Sequence, residues 1–260
     1  MKPIAGLLFL ALLWLVPLGQ EARAERLIAS VSNHRVTITP DYSGDELVLF
    51  GSVERDAETP PHRGPYDIVV TVSGPRMTML TRRKEKRLGI WLNADSREFI
   101  NVPAYLAVFS NRPINTLAPA EVQRRQQLGI NNIILTQRVG TDFADVVPGD
   151  PFRAAFVRLR TEHGLYREAS NALTFLTPTL FRVGIPLPPE VPIGTYEVDI
   201  KLFSNGALIT RSETAFEIAK VGFEQFVAET ARRHGWLYGI ATAVMAIMTG
   251  WLASVIFRRD

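Results

Sequence analysis

Twenty-two consecutive residues near the C-terminus, Trp236–Phe257, carry no charge. As an α-helix they extend about 33 Å, enough for the roughly 30 Å hydrocarbon core of a bilayer. Trp236 and Tyr238 fall at one end and Trp251 and Phe257 toward the other, where aromatic side chains meet a membrane interface. Arg232-Arg233 precede the run and Arg258-Arg259 follow it. That flanking fits a transmembrane helix over 236–257 better than a helix buried in a soluble core.

The opposite end reads as an export signal. Lys2 is followed by the apolar run Ile4–Val16, the breakers Pro17 and Gly19, and Ala22-Arg23-Ala24. These are the charged, apolar and small-residue parts of a cleaved leader, which predicts a signal peptide over 1–24 and a mature chain from Glu25. Thirteen apolar residues would reach only about 20 Å as a helix, too short for a span. The arginines around the C-terminal run tie the positive-inside count, and the signal peptide breaks the tie. Residues 25–235 are expected in the periplasm and 258–260 in the cytoplasm, so the inner membrane is the expected location. With a three-residue tail, a receptor that signals inward through its own cytoplasmic domain is not expected.

The charge balance narrows the partners. The chain has 29 basic and 26 acidic residues among 260, a net charge of +3. Removing the leader takes away Lys2, Arg23 and Glu21 and leaves a surplus of two. That argues against a nucleic-acid binder, which needs a dense basic field. The absence of cysteine excludes disulfides, thiolate metal sites, a Cys nucleophile and a lipid-modified N-terminal cysteine.

Between the two ends the pattern is mostly that of strands. Arg35–Thr39 alternates, as do Tyr66, Ile68, Val70 and Val72 with the residues between them. Glu46–Val53 is nearly continuous in apolar residues and predicts a strand buried on both faces. Thr195–Phe203 places Tyr196, Val198, Ile200 and Leu202 on one face and Glu197, Asp199 and Lys201 on the other, and Asn205-Gly206 supplies a two-residue hairpin turn. Gly194-Thr195-Tyr196 resembles the start of an immunoglobulin F strand, with Val198 where those domains carry cysteine. The expected fold is mainly β: an immunoglobulin-like β-sandwich over 25–220 with a helical insertion at 115–168, and a C-terminal transmembrane α-helix.

Within the insertion, Pro119 opens a polar helix that Gly129 closes. Asp150, Pro151 and Gly164 frame another, on which Phe152, Ala155, Phe156 and Leu159 share one face. A hairpin at His163-Gly164 competes, and agreement of caps with periodicity favours the helix. Phe223, Phe226, Val227 and Thr230 share a helical face too, so 221–235 is expected to be a helical stem.

Chemistry-bearing motifs are scarce. None of His34, His62, His163 and His234 has a partner at zinc-ligand spacing, and the chain lacks nucleophile-elbow, phosphate-loop and dinucleotide patterns. No catalytic, metal or cofactor residue is nominated, and the chain is not expected to be an enzyme. Arg82, Arg83, Lys84, Lys86 and Arg87, interrupted by Glu85, form the densest charge run. It reads as a solvated hairpin tip, or as a contact for oxyanions or lipid headgroups. Gly239, Ala243, Ala246, Gly250 and Ala253 lie along one face of the C-terminal run. Such a face admits a second helix closely, although Ala and Gly are common in spans and Ala241 and Ser254 lie off the stripe.

Long ordered stretches resemble an uncharacterised alphaproteobacterial family of transmembrane proteins. They are Leu47–Gly51, Gly74-Pro75, Arg82–Asn93, Gly164–Tyr166, Leu180–Tyr196, Lys220–Phe226 and Leu237–Arg259. The resemblance implies an exported N-terminal part, a C-terminal span and no assigned activity. Members are often encoded near sulfite or organosulfonate exporters of the TauE/SafE type, which implies a transport accessory role by association. The resulting expectation is a non-enzymatic single-pass protein docked on a polytopic inner-membrane partner or on its own copies, in contact with lipid. The alternative is a tethered module that binds a small anion, peptide or polymer.

Overall fold

The computed structural model describes residues 25–54, 65–139, 141–220, 231–232 and 235–256. The expected signal peptide, most of the expected stem, His62, His234 and the tail lie outside the described residues.

Strands β1 (Arg26–Val31), β2 (Arg35–Ile38), β3 (Asp45–Glu54), β4 (Asp67–Ser73), β5 (Arg76–Arg87), β6 (Ile90–Pro103) and β7 (Leu106–Ser110) come first. Two short helices, α1 (Ile114–Leu117) and α2 (Ala120–Arg125), precede a 3-10 turn at Ile130–Asn132. Then come β8 (Thr136–Val139), β9 (Asp142–Asp145), α3 (Pro151–Glu162), β10 (Tyr166–Ser170), β11 (Leu173–Phe175), β12 (Leu180–Leu187), β13 (Gly194–Ser204), β14 (Ala207–Lys220) and α4 (Gly235–Ile256).

They make three sheets: β1-β3-β12-β11, β10-β7-β4-β13-β14-β2 and β5-β6-β8-β9. The first two enclose one apolar core, in which Leu49, Phe181 and Ile185 of one sheet join Ile68, Val198 and Leu202 of the other, all fully buried. Both sheets combine early and late segments, since β3 pairs with β12 and β4 with β13. The six-stranded sheet is antiparallel inside and closed at each edge by a parallel strand, β10 on β7 and β2 on β14.

Several expectations need correction. β3 is not buried on both faces: Leu47, Leu49 and Val53 point inward while Phe50 on the other face is exposed. β4, in the middle of its sheet, is the strand buried on both faces, with Ile68, Val69, Val70 and Val72 all inaccessible. The segment 115–168 is not simply helical, because β8, β9 and the start of β10 fall in it. These strands gain partners that sequence periodicity does not reveal: β8 adds to β6, and β10 to β7.

Helix α3 has the caps read from the sequence. Asp150 Oδ1 accepts from the amides of Phe152 and Arg153 at 2.8 and 3.1 Å, Pro151 fills the first turn, and Gly164 takes φ +68°. Its face differs, with Arg153 buried and Leu159 exposed. Arg153 Nη2 donates to the carbonyls of Asn131 and Ile133, both at 2.8 Å, which satisfies the buried guanidinium.

Helix α4 has 22 residues and covers most of the expected span. Leu237, Ala241 and Val255 are outside its described side chains. Among the described residues, no helix is long and apolar enough to cross a membrane.

Three buried tyrosines brace the junction between the sandwich and the third sheet. Tyr105 donates to the Pro186 carbonyl at 2.7 Å, Tyr166 to Pro103 at 2.8 Å, and Tyr196 to Pro192, four residues upstream, at 2.6 Å. Burial drives each phenol well above its ordinary range. The native state therefore keeps protons that the unfolded chain releases, so stability holds below about pH 10 and falls as pH rises beyond it. Absorbance titration of the full chain is expected to show these three of the six tyrosines ionising only with unfolding; early ionisation of all six would contradict the packing. At the same junction, a Cβ on Gly74 would sit 2.9 Å from Tyr105 Cβ and 3.0 Å from Tyr196 Cε1. Gly74→Ala is expected to cost about 1–3 kcal/mol through overpacking, whereas Gly149→Ala, which meets open space, should stay within about 0.5 kcal/mol. Thermal unfolding of the two variants checks this.

Candidate functional site: a cationic ribbon and a charged cleft

The expected charge run is not a hairpin tip. Arg82–Arg87 forms the outer part of β5, paired with β6. The turn is Leu88-Gly89, with φ +52° and +86° closing the Arg87–Ile90 pair, as a tight two-residue hairpin requires. A leucine in a left-handed conformation gave no turn signal in the sequence.

Strand alternation sorts the charges. Arg83, Glu85 and Arg87 share a face with Ile90 and Leu92, and Glu85 bridges both arginines at 3.2 and 3.4 Å. Arg82, Lys84 and Lys86 lie on the opposite face with Trp91, their charges unpaired among the described residues. Leu88 is fully exposed, and Ile90 and Trp91 are each 64% exposed.

The base of the ribbon is anchored. Arg97 of β6 pairs with the α3 cap Asp150 at 2.5 Å and lies 4.9 Å over the Phe152 ring. Phe99, fully buried, packs against Phe156 at 5.2 Å between centroids. A groove of about 240 Å³ lies between Thr81–Lys84 and the α3 residues Phe152, Ala155 and Leu159.

The second expected site, the small-residue stripe, lies on α4. Gly239, Ala243, Ala246, Gly250 and Ala253 are all exposed, and a Cβ added at Gly239 or Gly250 would meet nothing within 4 Å. No other part of the described chain covers this face.

A third feature escaped sequence reading. On the outer face of the six-stranded sheet, a cleft of about 260 Å³ is lined by Thr71, Arg76, Arg125, Glu197, Asp199, Lys201 and Arg211 among others. Lys201 is only 7% exposed; its Nζ donates to the Gln126 carbonyl at 2.8 Å and lies 3.0 Å from Asp199. Arg211 Nε reaches the other Asp199 oxygen at 2.6 Å, and its Nη2 lies 2.8 Å from Glu213. Those hydrogen bonds hold the Arg211 guanidinium above its ordinary range, with Asp199 the main cause. The alternation in β13 marked Lys201 as solvent-facing; it is instead buried, with the Gln126 carbonyl at the end of α2 seated on its Nζ, which no local pattern foretells.

The histidines bear on structure. His163 caps α3, with Nδ1 2.7 Å from the Leu159 carbonyl, and His34 offers its carbonyl to the Glu217 amide at 2.8 Å. Among the described residues, no group of three or more metal-ligating side chains comes together.

The architecture is that of a β-rich domain bearing a projecting basic ribbon and an uncovered apolar helix. The family model described as "Putative transmembrane protein (Alph_Pro_TM)" matches residues 26–259, and the chain belongs to that family. No curated protein matches it. Among solved structures, the N-terminal domain of the Streptococcus gordonii adhesin Sgo0707 aligns at 7% identity and a TM-score of 0.27, over 75% of this chain and 32% of that one. The chain thus spans about a third of that structure's length. The collagen adhesin CNA from S. aureus aligns at 7% identity and a TM-score of 0.14, over 77% of this chain and 94% of that one. At such scores neither likeness carries an argument about fold or activity.

Replacing Lys201 by Met would leave Asp199 and the Gln126 carbonyl without their shared donor. Lys201→Met is expected to destabilise the chain by about 1–3 kcal/mol, the cost of stranding buried polar groups, while Arg211→Met, more than half exposed at its side chain, should cost under about 1 kcal/mol. Chemical denaturation of both variants measures the difference.

Proposed function

We propose that this protein is a single-pass inner-membrane protein whose immunoglobulin-like sandwich acts in the periplasm as a non-enzymatic accessory subunit of a polytopic membrane partner. The observation that carries the reading is α4. Trp236, Ile240, Val244, Met245, Ile247, Met248 and Trp251 are all exposed on it, and contiguous apolar surface of this kind demands lipid or a protein partner. The uncharged length of 236–257 and the family's description as transmembrane support lipid around most of the helix. The stripe from Gly239 to Ala253 supplies a surface for close helix packing. An anion exporter of the sulfite or sulfonate type is the partner suggested by the gene neighbourhood that the resemblance implies.

Purification of the tagged chain from its native membranes in mild detergent is expected to bring a multi-span protein in stoichiometric amount. Gly239→Leu combined with Ala243→Leu and Gly250→Leu should release that partner while the variant still resists extraction by alkaline carbonate. Association unchanged by the triple substitution would refute docking through this face.

The cleft around Lys201 supports a second reading, a tethered binding module for a small anion or peptide. Arg76, Arg125 and Arg211 at its rim suit an oxyanion. Sulfate or sulfite that raises the melting temperature of the full chain in detergent, and fails to do so after Arg211→Met, would favour it.

A further inference from the structure

The topology directs the ribbon toward the end of the sandwich from which the chain leaves for α4. Ser73 at the end of β4 pairs with Glu197 of β13, and Glu197 pairs with Ala215 of β14. Both β4 and β14 run antiparallel to β13, so they run in the same direction and finish at the same end. At that end β4 continues through Gly74-Pro75 into β5, and β14 reaches Lys220. The twelve residues of β5 span about 40 Å, and in its distal half Arg82, Lys84 and Lys86 are all exposed.

The composition of that half is unlike an ordinary solvated arm. Cations with no partner among the described residues stand on one face beside Trp91, and the turn presents Leu88 to solvent. Basic side chains backed by an exposed tryptophan and leucine match an anionic lipid surface: the charges meet headgroup phosphates and the apolar tip enters the interfacial layer. The segregation is geometric, because Glu85 pairs with both arginines of the other face, while no carboxylate among the described residues pairs with Arg82, Lys84 or Lys86.

We infer that the β5–β6 ribbon is a second membrane contact, whose Arg82, Lys84 and Lys86 bind anionic phospholipid headgroups while Trp91 on the same face and Leu88 at the turn insert at the interface. The inference rests on the membrane-anchored reading for its setting and not for its chemistry. Each cation near an anionic surface changes the bound-to-free ratio about fivefold, so the three together control roughly a hundredfold.

The test uses the full chain, which contains no cysteine, reconstituted with Leu88→Cys bearing an environment-sensitive fluorophore. Ala207→Cys, exposed at the opposite end of the sheet, is the control position. In vesicles of phosphatidylcholine with phosphatidylglycerol, a lipid-borne quencher is expected to quench the label at 88 and spare the label at 207. In phosphatidylcholine alone, or after Arg82→Gln, Lys84→Gln and Lys86→Gln together, quenching at 88 should be lost with the melting temperature unchanged. Equal quenching in both lipids, or quenching that survives the triple substitution, overturns the proposal. So does a label that stays in water on anionic vesicles, or responds only when other membrane proteins are co-reconstituted, which would make the ribbon a protein-docking element. A response of the detergent-solubilised chain to inorganic phosphate would reassign the cations to a free anion and also overturn it. Carbonate extraction of the same vesicles separates the two readings. A retained chain with no quenching at 88 keeps the span and refutes the ribbon contact; a released chain that still quenches on anionic vesicles does the reverse.

Discussion

The crease at Gly74-Pro75 and Ala104-Tyr105 governs this molecule. There one long hairpin stops being part of the sandwich and becomes the ribbon. Two backbone hydrogen bonds carry the pairing across it, from the Gly74 amide to the Tyr105 carbonyl and from the Ala104 amide to the Pro75 carbonyl, both 2.8 Å. The Arg160 guanidinium donates to the Ala104 carbonyl as well, which ties α3 to the same point. Tyr105 and Tyr196 pack at 5.6 Å against one another, and Tyr196 stacks on Phe216. With no side chain at Gly74, the tyrosines can close over the backbone. The position of the ribbon, the seating of α3 and one wall of the charged cleft all follow from this arrangement.

Electrostatics divides the surface more sharply than the net charge suggests. A surplus of three hides places where opposite charges are nearly matched and places where they are not. In the cleft, Lys201 and Arg211 share Asp199, and in the core-facing layer Asp67, only 2% exposed, is held by Arg112 at 2.5 Å. Burying such charges is tolerable because each has a partner and further hydrogen bonds. On the Arg82–Lys84–Lys86 face of the ribbon no carboxylate among the described residues plays that part.

What the sequence made legible was what local periodicity and end chemistry determine. The strands around Tyr66–Ser73 and Thr195–Phe203, the Asn205-Gly206 turn with φ +49° and +80° and the capped helix after Asp150 could all be read from neighbouring residues, although the one-sided burial that alternation predicts for the first of them gave way to burial on both faces. The hydroxyl of Tyr196 donates to the Pro192 carbonyl four residues upstream, a local bond. Partner choice could not be read in this way. Whether β10 lies parallel to β7, whether β8 extends the ribbon sheet and whether Lys201 is covered depend on contacts between distant segments. The ribbon shows both limits at once. Its charges were visible as a cluster, but their division between two faces appeared only once the true turn at Leu88-Gly89 fixed the register.

The closure of the six-stranded sheet by its last strand bears on how the chain acquires its structure. β2 is synthesised early in a chain made from its N-terminus, yet its ladder partner among the described residues is β14, and β3 and β4 wait for β12 and β13 to complete their ladders. Until roughly the final quarter of the chain arrives, the first half is a set of apolar strands with open edges, the state most prone to pair wrongly. Non-local pairing of this kind also folds slowly. The interval between synthesis of β4 and of β14 is therefore the vulnerable one for this protein, and a holding chaperone that shields strand edges would matter most then.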